Sequence, residues 1–188
     1  MLDIKDMILV FIYKLLNYLG IIKRKSNVIY LDDNNDEIYY LSNKLKSIKI
    51  WMPGYENSKL ENLPDNIENV LIIGNCFNTE IDNLSNIKKL EIIGDKFNKV
   101  LNNLPVGLRE LKIMGNNFNQ ELNNLPEYLE RLEITCCINY NKKLDNLPLS
   151  LKKLEIGKEY LEYYPLEEVL GMIPLGCELY VEREKIDL

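Results

Sequence analysis

Histidine is absent from the 188 residues. Its absence removes the Ser-His and Cys-His nucleophile pairs, the His-containing zinc sites and the commonest general base. Cysteine is sparse, and Cys76, Cys136, Cys137 and Cys177 form no C-x-x-C pair, so the spacing of a metal cluster is missing as well. No phosphate loop, nucleophile elbow or dinucleotide fingerprint occurs. Basic side chains are outnumbered, 23 against 29, for a formal net charge of -6. A nucleic-acid binder would show a basic stripe, so that class is set aside. No apolar run reaches the roughly 20 uninterrupted residues of a membrane span. An enzyme, a metalloprotein and a cofactor carrier therefore lack their residues.

What is present is a repeat. Asn-Leu-Pro recurs at Asn62, Asn103, Asn124 and Asn146, and Asn83-Leu84-Ser85 fills the gap, with the leucines 20–22 residues apart. Phe-Asn recurs at Phe77-Asn78, Phe97-Asn98 and Phe118-Asn119, with Tyr140-Asn141 as a fourth copy. A third phrase, apolar-x-x-apolar-x-Ile, runs from Leu45/Ile48/Ile50 to Leu151/Leu154/Ile156 in six copies. One such segment cannot bury its own apolar side, so copies must stack as a solenoid about 4.8 Å apart. The L-x-I portion alternates inward and outward as a strand does. The expected fold is an α/β-type repeat solenoid, mostly β: a leucine-rich-repeat-like right-handed coil of about six repeats over residues 42–157.

Asparagine supplies 24 residues. Two columns, Asn78/Asn98/Asn119/Asn141 and Asn62/Asn83/Asn103/Asn124/Asn146, are expected to point inward as a structural ladder. There they would satisfy backbone groups of the irregular return coil. The four cysteines are expected to be small buried hydrophobes in a reduced, intracellular, cytoplasmic protein, since Met1–Asp6 carries more negative than positive charge and lacks the pattern of a secretory leader.

Residues 1–41 read as an N-terminal cap. Ile4, Ile8, Phe11, Leu15, Leu19 and Ile22 form one helical stripe over 4–22, and 28–31 with 38–41 read as a hairpin over 28–41. Lys23, Arg24 and Lys25 would also suit an interfacial anchor. Residues 158–188 read as a degenerate further repeat. Pro165–Gly171 forms a short helix, Ile173-Pro174 takes the Leu-Pro place, Leu179 and Val181 continue the inward columns, and 182–188 face water.

The outward strand positions form a grid. Ser47, Asn69, Lys89, Glu110, Arg131 and Lys153 make one column, and Lys49, Leu71, Glu91, Lys112, Glu133 and Glu155 the next. Across the central strands the charges alternate in sign, which keeps the face soluble and argues against a catalytic carboxylate pair. The third column, Trp51, Ile73, Ile93, Met114, Thr135 and Gly157, is mainly apolar. With Leu71, its first four members are the candidate contact for another protein.

The pattern Leu-Pro-x-x-Leu-x-x-Leu-x-Ile, then Gly and Phe-Asn, resembles the FNIP repeat, a relative of the leucine-rich repeat. Leu104–Ile113 with Phe118-Asn119-Gln120 is the best copy. An extra residue before the glycine, as in Ile92-Ile93-Gly94, departs from the family pattern. Such repeats occur in social amoebae and giant amoeba-infecting viruses, and the resemblance implies a protein-binding module. Some family proteins carry an N-terminal F-box that docks on a ubiquitin-ligase adaptor. Asp6–Ile12 resembles the first F-box helix, although the leading Leu-Pro and the later helices are missing.

Overall fold

In a computed structural model, the structure describes residues 28–30, 45–51, 63–81 and 84–187. The helix expected over 4–22, the second hairpin arm at 38–41, and Asn62 and Asn83 lie outside the described residues. The described strands are β1 (Val28–Tyr30), β2 (Ser47–Trp51), β3 (Asn69–Ile73), β4 (Lys89–Ile93), β5 (Glu110–Met114), β6 (Arg131–Thr135), β7 (Lys153–Ile156), β8 (Glu178–Val181) and β9 (Glu184–Lys185). They form one sheet in chain order, parallel from β1 to β8, with β9 antiparallel to β8. This is a leucine-rich-repeat-like, mostly β solenoid.

Strict alternation produces the strands. Ile48/Ile50, Val70/Ile72, Leu90/Ile92, Leu111/Ile113 and Leu132/Ile134 all point inward and are buried, and the register stacks them coil on coil. A slip of one residue would turn every such pair to solvent, so the pattern fixes the register. Behind the sheet, Phe77, Phe97, Phe118 and Tyr140 stack with ring centroids 5.5, 5.8 and 5.7 Å apart and planes within 8° of parallel. Tyr160 continues the column at a 32° tilt. The Tyr140 hydroxyl is buried with no hydrogen-bond partner among the described residues, and burial pushes its phenol well above the ordinary value.

Glycine follows the strands for a steric reason. A Cβ on Gly94 would collide with the Gly74 carbonyl oxygen, and one on Gly115 with that of Gly94. Phe97 and Phe118 then close turns onto Gly94 and Gly115 through N–H···O bonds of 3.2 and 3.3 Å. The next coil inserts one residue: Cys136 has φ 54°, and Cys137 takes the glycine place, its carbonyl accepting from Tyr140 at 2.9 Å. Cys137 and Cys177 are buried, but Cys76 is half-buried and Cys136 exposed, so burial does not extend to all four thiols. Desolvation pushes the Cys137 thiol up to about 12.

At the other edge, the N–H groups of Ile67, Leu108, Leu129 and Leu151 each donate to the carbonyl of the proline three residues back, at 3.0 Å. Proline suits this packed corner because it brings no N–H to satisfy. In the shortened coil Ile87 donates to Leu84, so Leu84 fills the proline place, not the leucine place its Asn-Leu-Ser context suggests.

The ends show features that the repeat pattern did not indicate. The first arm of the expected hairpin is a strand, β1, and it lies parallel to β2, with Ile29 in register with Ile50, while the second arm lies outside the described residues. Residues 182–185 and 187 face water, as expected, but the segment is also structured: Glu184–Lys185 turn back as β9, and the Ile186 N–H donates to the Leu179 carbonyl at 2.9 Å. The turn between β8 and β9 places Glu182 and Arg183 at φ 52° and 73°. The helix α1 covers Leu166–Met172, following a 3-10 turn at Lys158–Glu162 that the repeat pattern did not indicate. Among the described residues, no helix is long and apolar enough to cross a membrane.

Candidate partner-binding face

The two asparagine columns serve different ends. Along the column Asn78/Asn98/Asn119/Asn141, the side-chain oxygens of Asn78, Asn98 and Asn119 accept the backbone N–H groups of Asn98, Asn119 and Asn141, one coil on, at 2.9, 2.9 and 3.1 Å. Gln120 adds a second donor to the Asn98 oxygen at 2.9 Å. Asn78, Asn98 and Asn119 are half-buried and Asn141 is exposed, and their bonds tie successive turns together. Asn103, Asn124 and Asn146, expected inward, are instead exposed. They stand at corner turns, where asparagine is favoured because its side chain tolerates and supports the turn conformation. Their contacts are surface ones, Asn124 to Asn102 at 3.2 Å and Asn146 to Asn123 at 3.4 Å.

The strand face carries the candidate site. Register places Ser47, Asn69, Lys89, Glu110, Arg131 and Lys153 side by side, and likewise Lys49, Leu71, Glu91, Lys112, Glu133 and Glu155. The charged members neutralise one another. Lys89 meets Glu91 at 2.9 Å and Glu110 at 3.4 Å, Arg131 meets Glu110 at 2.9 Å, and Lys112 meets Glu133 at 2.6 Å. The hydrogen bond from Lys89 to Glu91 raises the Lys89 pKa. Glu155, expected outward and wet, is only 5% exposed. It bonds Lys153 at 2.8 Å, and that ammonium sits 4.1 Å from the centroid of the Tyr180 ring.

Trp51, Ile73, Ile93 and Met114 lie in one register column, and Leu71 stands beside them in the next. All five are half-buried. Thr135 pairs with Met114, but Gly157 does not extend the column. β7 ends at Ile156, and Gly157 opens the turn closed by Tyr160 at 3.2 Å, as Gly115 does for Phe118. Among the described residues, no group of three or more side chains could hold a metal ion.

A further column precedes the strands, which the sequence reading missed: Lys46, Glu68, Lys88, Arg109, Glu130 and Lys152. Glu68 bridges Lys46 and Lys88 at 2.7 and 2.8 Å, and Glu130 bridges Arg109 and Lys152 at 3.5 and 3.0 Å. Hydrogen bonds from Lys46 and Lys88 hold the Glu68 carboxyl down to about 2. Residue signs at the spacing of the repeat could have revealed it.

No family model matches the chain. No curated protein matches it either. Among solved structures, the chain is similar to CroV588, described as a novel circular LRR protein, at 21% identity and a TM-score of 0.46, over 84% of this chain and 31% of that one. The chain thus spans about a third of that protein's length.

Proposed function

We propose that the solenoid is a non-catalytic protein-interaction module, acting inside the cell, that holds another protein on its strand face. The observation that carries this reading is the division of the face. One part is ion-paired and self-neutralised, and the other gathers Trp51, Leu71, Ile73, Ile93 and Met114 in adjoining positions. Apolar area with no opposing charge is what an interface core needs, and a balanced polar surround sets orientation more than affinity. The carboxylates of the face are paired with bases, which leaves none placed as a general acid or base.

The test is capture of proteins from lysate by the full chain and its variants, each first shown to melt like the parent. Trp51→Ala should weaken capture roughly thirtyfold, corresponding to about 2 kcal/mol for an anchoring tryptophan. Ile93→Glu should abolish it, and Lys112→Ala should change it little. An unchanged captured set in Trp51→Ala and Ile93→Glu refutes the face. The second reading, adaptor of a ubiquitin ligase, rests on the likeness of Asp6–Ile12 to an F-box helix. It requires a Skp-type adaptor to co-purify only when residues 1–25 are present.

A further inference from the structure

One cation interrupts the apolar part of the face. Lys49 is half-buried, beside Leu71 on β3 and two residues from Trp51 on the same side of β2. Lys89, Lys112, Arg131 and Lys153 each meet a carboxylate, whereas Lys49 meets none among the described residues. It lies in a shallow depression bordered by Ser47, Asn69, Leu71, Lys89 and Glu91. The Ser47 oxygen accepts from Asn69 Nδ2 at 2.9 Å, and its own O–H meets no acceptor among the described residues. Two donors, Ser47 Oγ and Lys49 Nζ, therefore come from positions i and i+2 of one strand, and both lack an acceptor among the described residues.

We propose that this depression takes the carboxylate of an aspartate or glutamate on an extended segment of the partner, with the apolar side chain two residues away lying against Trp51 and Ile73 and further apolar side chains on Ile93. This rests on the strand face being the binding face. A cation in half-apolar surroundings gains most from an anion that accompanies apolar groups into the same interface. The spacing agrees: alternate residues of an extended segment lie about 6.6 Å apart, as Lys49 and Trp51 do along β2. The charge agrees too. Two cations border the depression, but Lys89 is already paired with Glu91 and Glu110, so Lys49 alone is left to meet a ligand, which suits a monovalent carboxylate and opposes a phosphate dianion. The favoured pattern is acid-x-apolar.

A phage-displayed library of random peptides about twelve residues long, selected on the full chain, reads this directly. The expected consensus is an aspartate or glutamate two residues from a large apolar side chain. Replacing that acid by its amide should cost about fivefold in affinity on the parent protein and nothing further on Lys49→Met. The amide peptide requires no change in the protein, so the comparison survives any effect of Lys49→Met on folding. Ile93→Glu should abolish binding of both peptides. A consensus without an acid, a preference for phosphopeptides, or losses that add instead of coupling would overturn the carboxylate assignment while leaving the face intact. Binding unaffected by Ile93→Glu would overturn the face itself, and a selection that enriches nothing would overturn both.

Discussion

The two edges of the sheet are built from the same residue by different physics. Where the strands leave the sheet, Gly74, Gly94 and Gly115 stack carbonyl over backbone, the phenyl rings stack behind them, and Asn78, Asn98 and Asn119 accept backbone N–H groups from the next coil. Where the strands begin, Asn103, Asn124 and Asn146 stand exposed at corners, next to a row of solvent-facing ion pairs. The first edge holds the coil by contacts that water cannot replace. The second holds it by proline corners, and its polar side chains are free to exchange neighbours for water. Asparagine content therefore says little about stability until the direction of each column is known.

The largest effect should come from the tight edge. Gly115→Ala puts a Cβ into the Gly94 carbonyl, and both sides of the collision are backbone, so relief requires the coils to part. A loss of about 3 kcal/mol or more is expected in chemical denaturation, at the upper end for an overpacked core. A variant that unfolds at the parent midpoint would show that the coils are not in contact there.

Next in size is Asn98→Ala. It strips the acceptor from the Asn119 N–H, while Gln120 Nε2 keeps its second bond, to the Asn98 carbonyl at 3.2 Å, so about 1–3 kcal/mol should be lost, chiefly from the part-buried Asn119 N–H. Asn98→Asp keeps the acceptor and should lose less. Equal losses for the two variants would mean that the column acts by shape and not by hydrogen bonding.

How much of this was legible in the sequence follows from the same comparison. The inward strand pairs and their register could be read, because alternation leaves only one face to bury. The ring column could be read, because Phe-Asn recurs in step with the strand phrase, so equal positions must stack coil on coil. The direction of the second asparagine column could not, since Leu101-Asn102-Asn103-Leu104 fits an inward ladder and a corner turn equally well. Tertiary closure decided it: Leu101 is buried and the chain turns at 102–103. Nor could the burial of Glu155, which depends on Tyr180 arriving on β8 beside it. The candidate site was legible as a column, but Gly157 was misplaced because β7 lacks the residue that precedes the glycine in other coils.

The tight edge also carries a flaw that sharpens the contrast. Tyr140 ends the phenylalanine column with a buried hydroxyl that finds no partner among the described residues. Tyr140→Phe removes that hydroxyl and keeps the ring stack with Phe118, so it should raise stability by about 1 kcal/mol. A loss instead would reveal a bridging water. At the loose edge, Asn124→Ala gives up only an exposed contact to Asn102 and should stay within about 0.5 kcal/mol of the parent. A penalty as large as that of Asn98→Ala would erase the distinction between the edges.

The smallest effect belongs to the ion pairs of the loose edge, and it is best read by titration. Glu68 is held down to about 2, from an ordinary 4.5, by hydrogen bonds from Lys46 and Lys88. A depressed folded-state value means that the folded form favours the ionised carboxyl. The contribution is therefore full above pH 4.5 and drains away as pH falls toward about 2. Both lysines are largely exposed, so solvent and salt screen the pair and the change in melting temperature should be slight. Carbon-13 titration of the Glu68 carboxyl should show a midpoint well below that of an unpaired glutamate. The double variant Lys46→Ala/Lys88→Ala should return it to the ordinary range, and half-molar salt should move the parent part of the way there. A Glu68 that titrates normally in the parent would show that these lysines spend their time in solvent, leaving the proline corners alone to hold this edge.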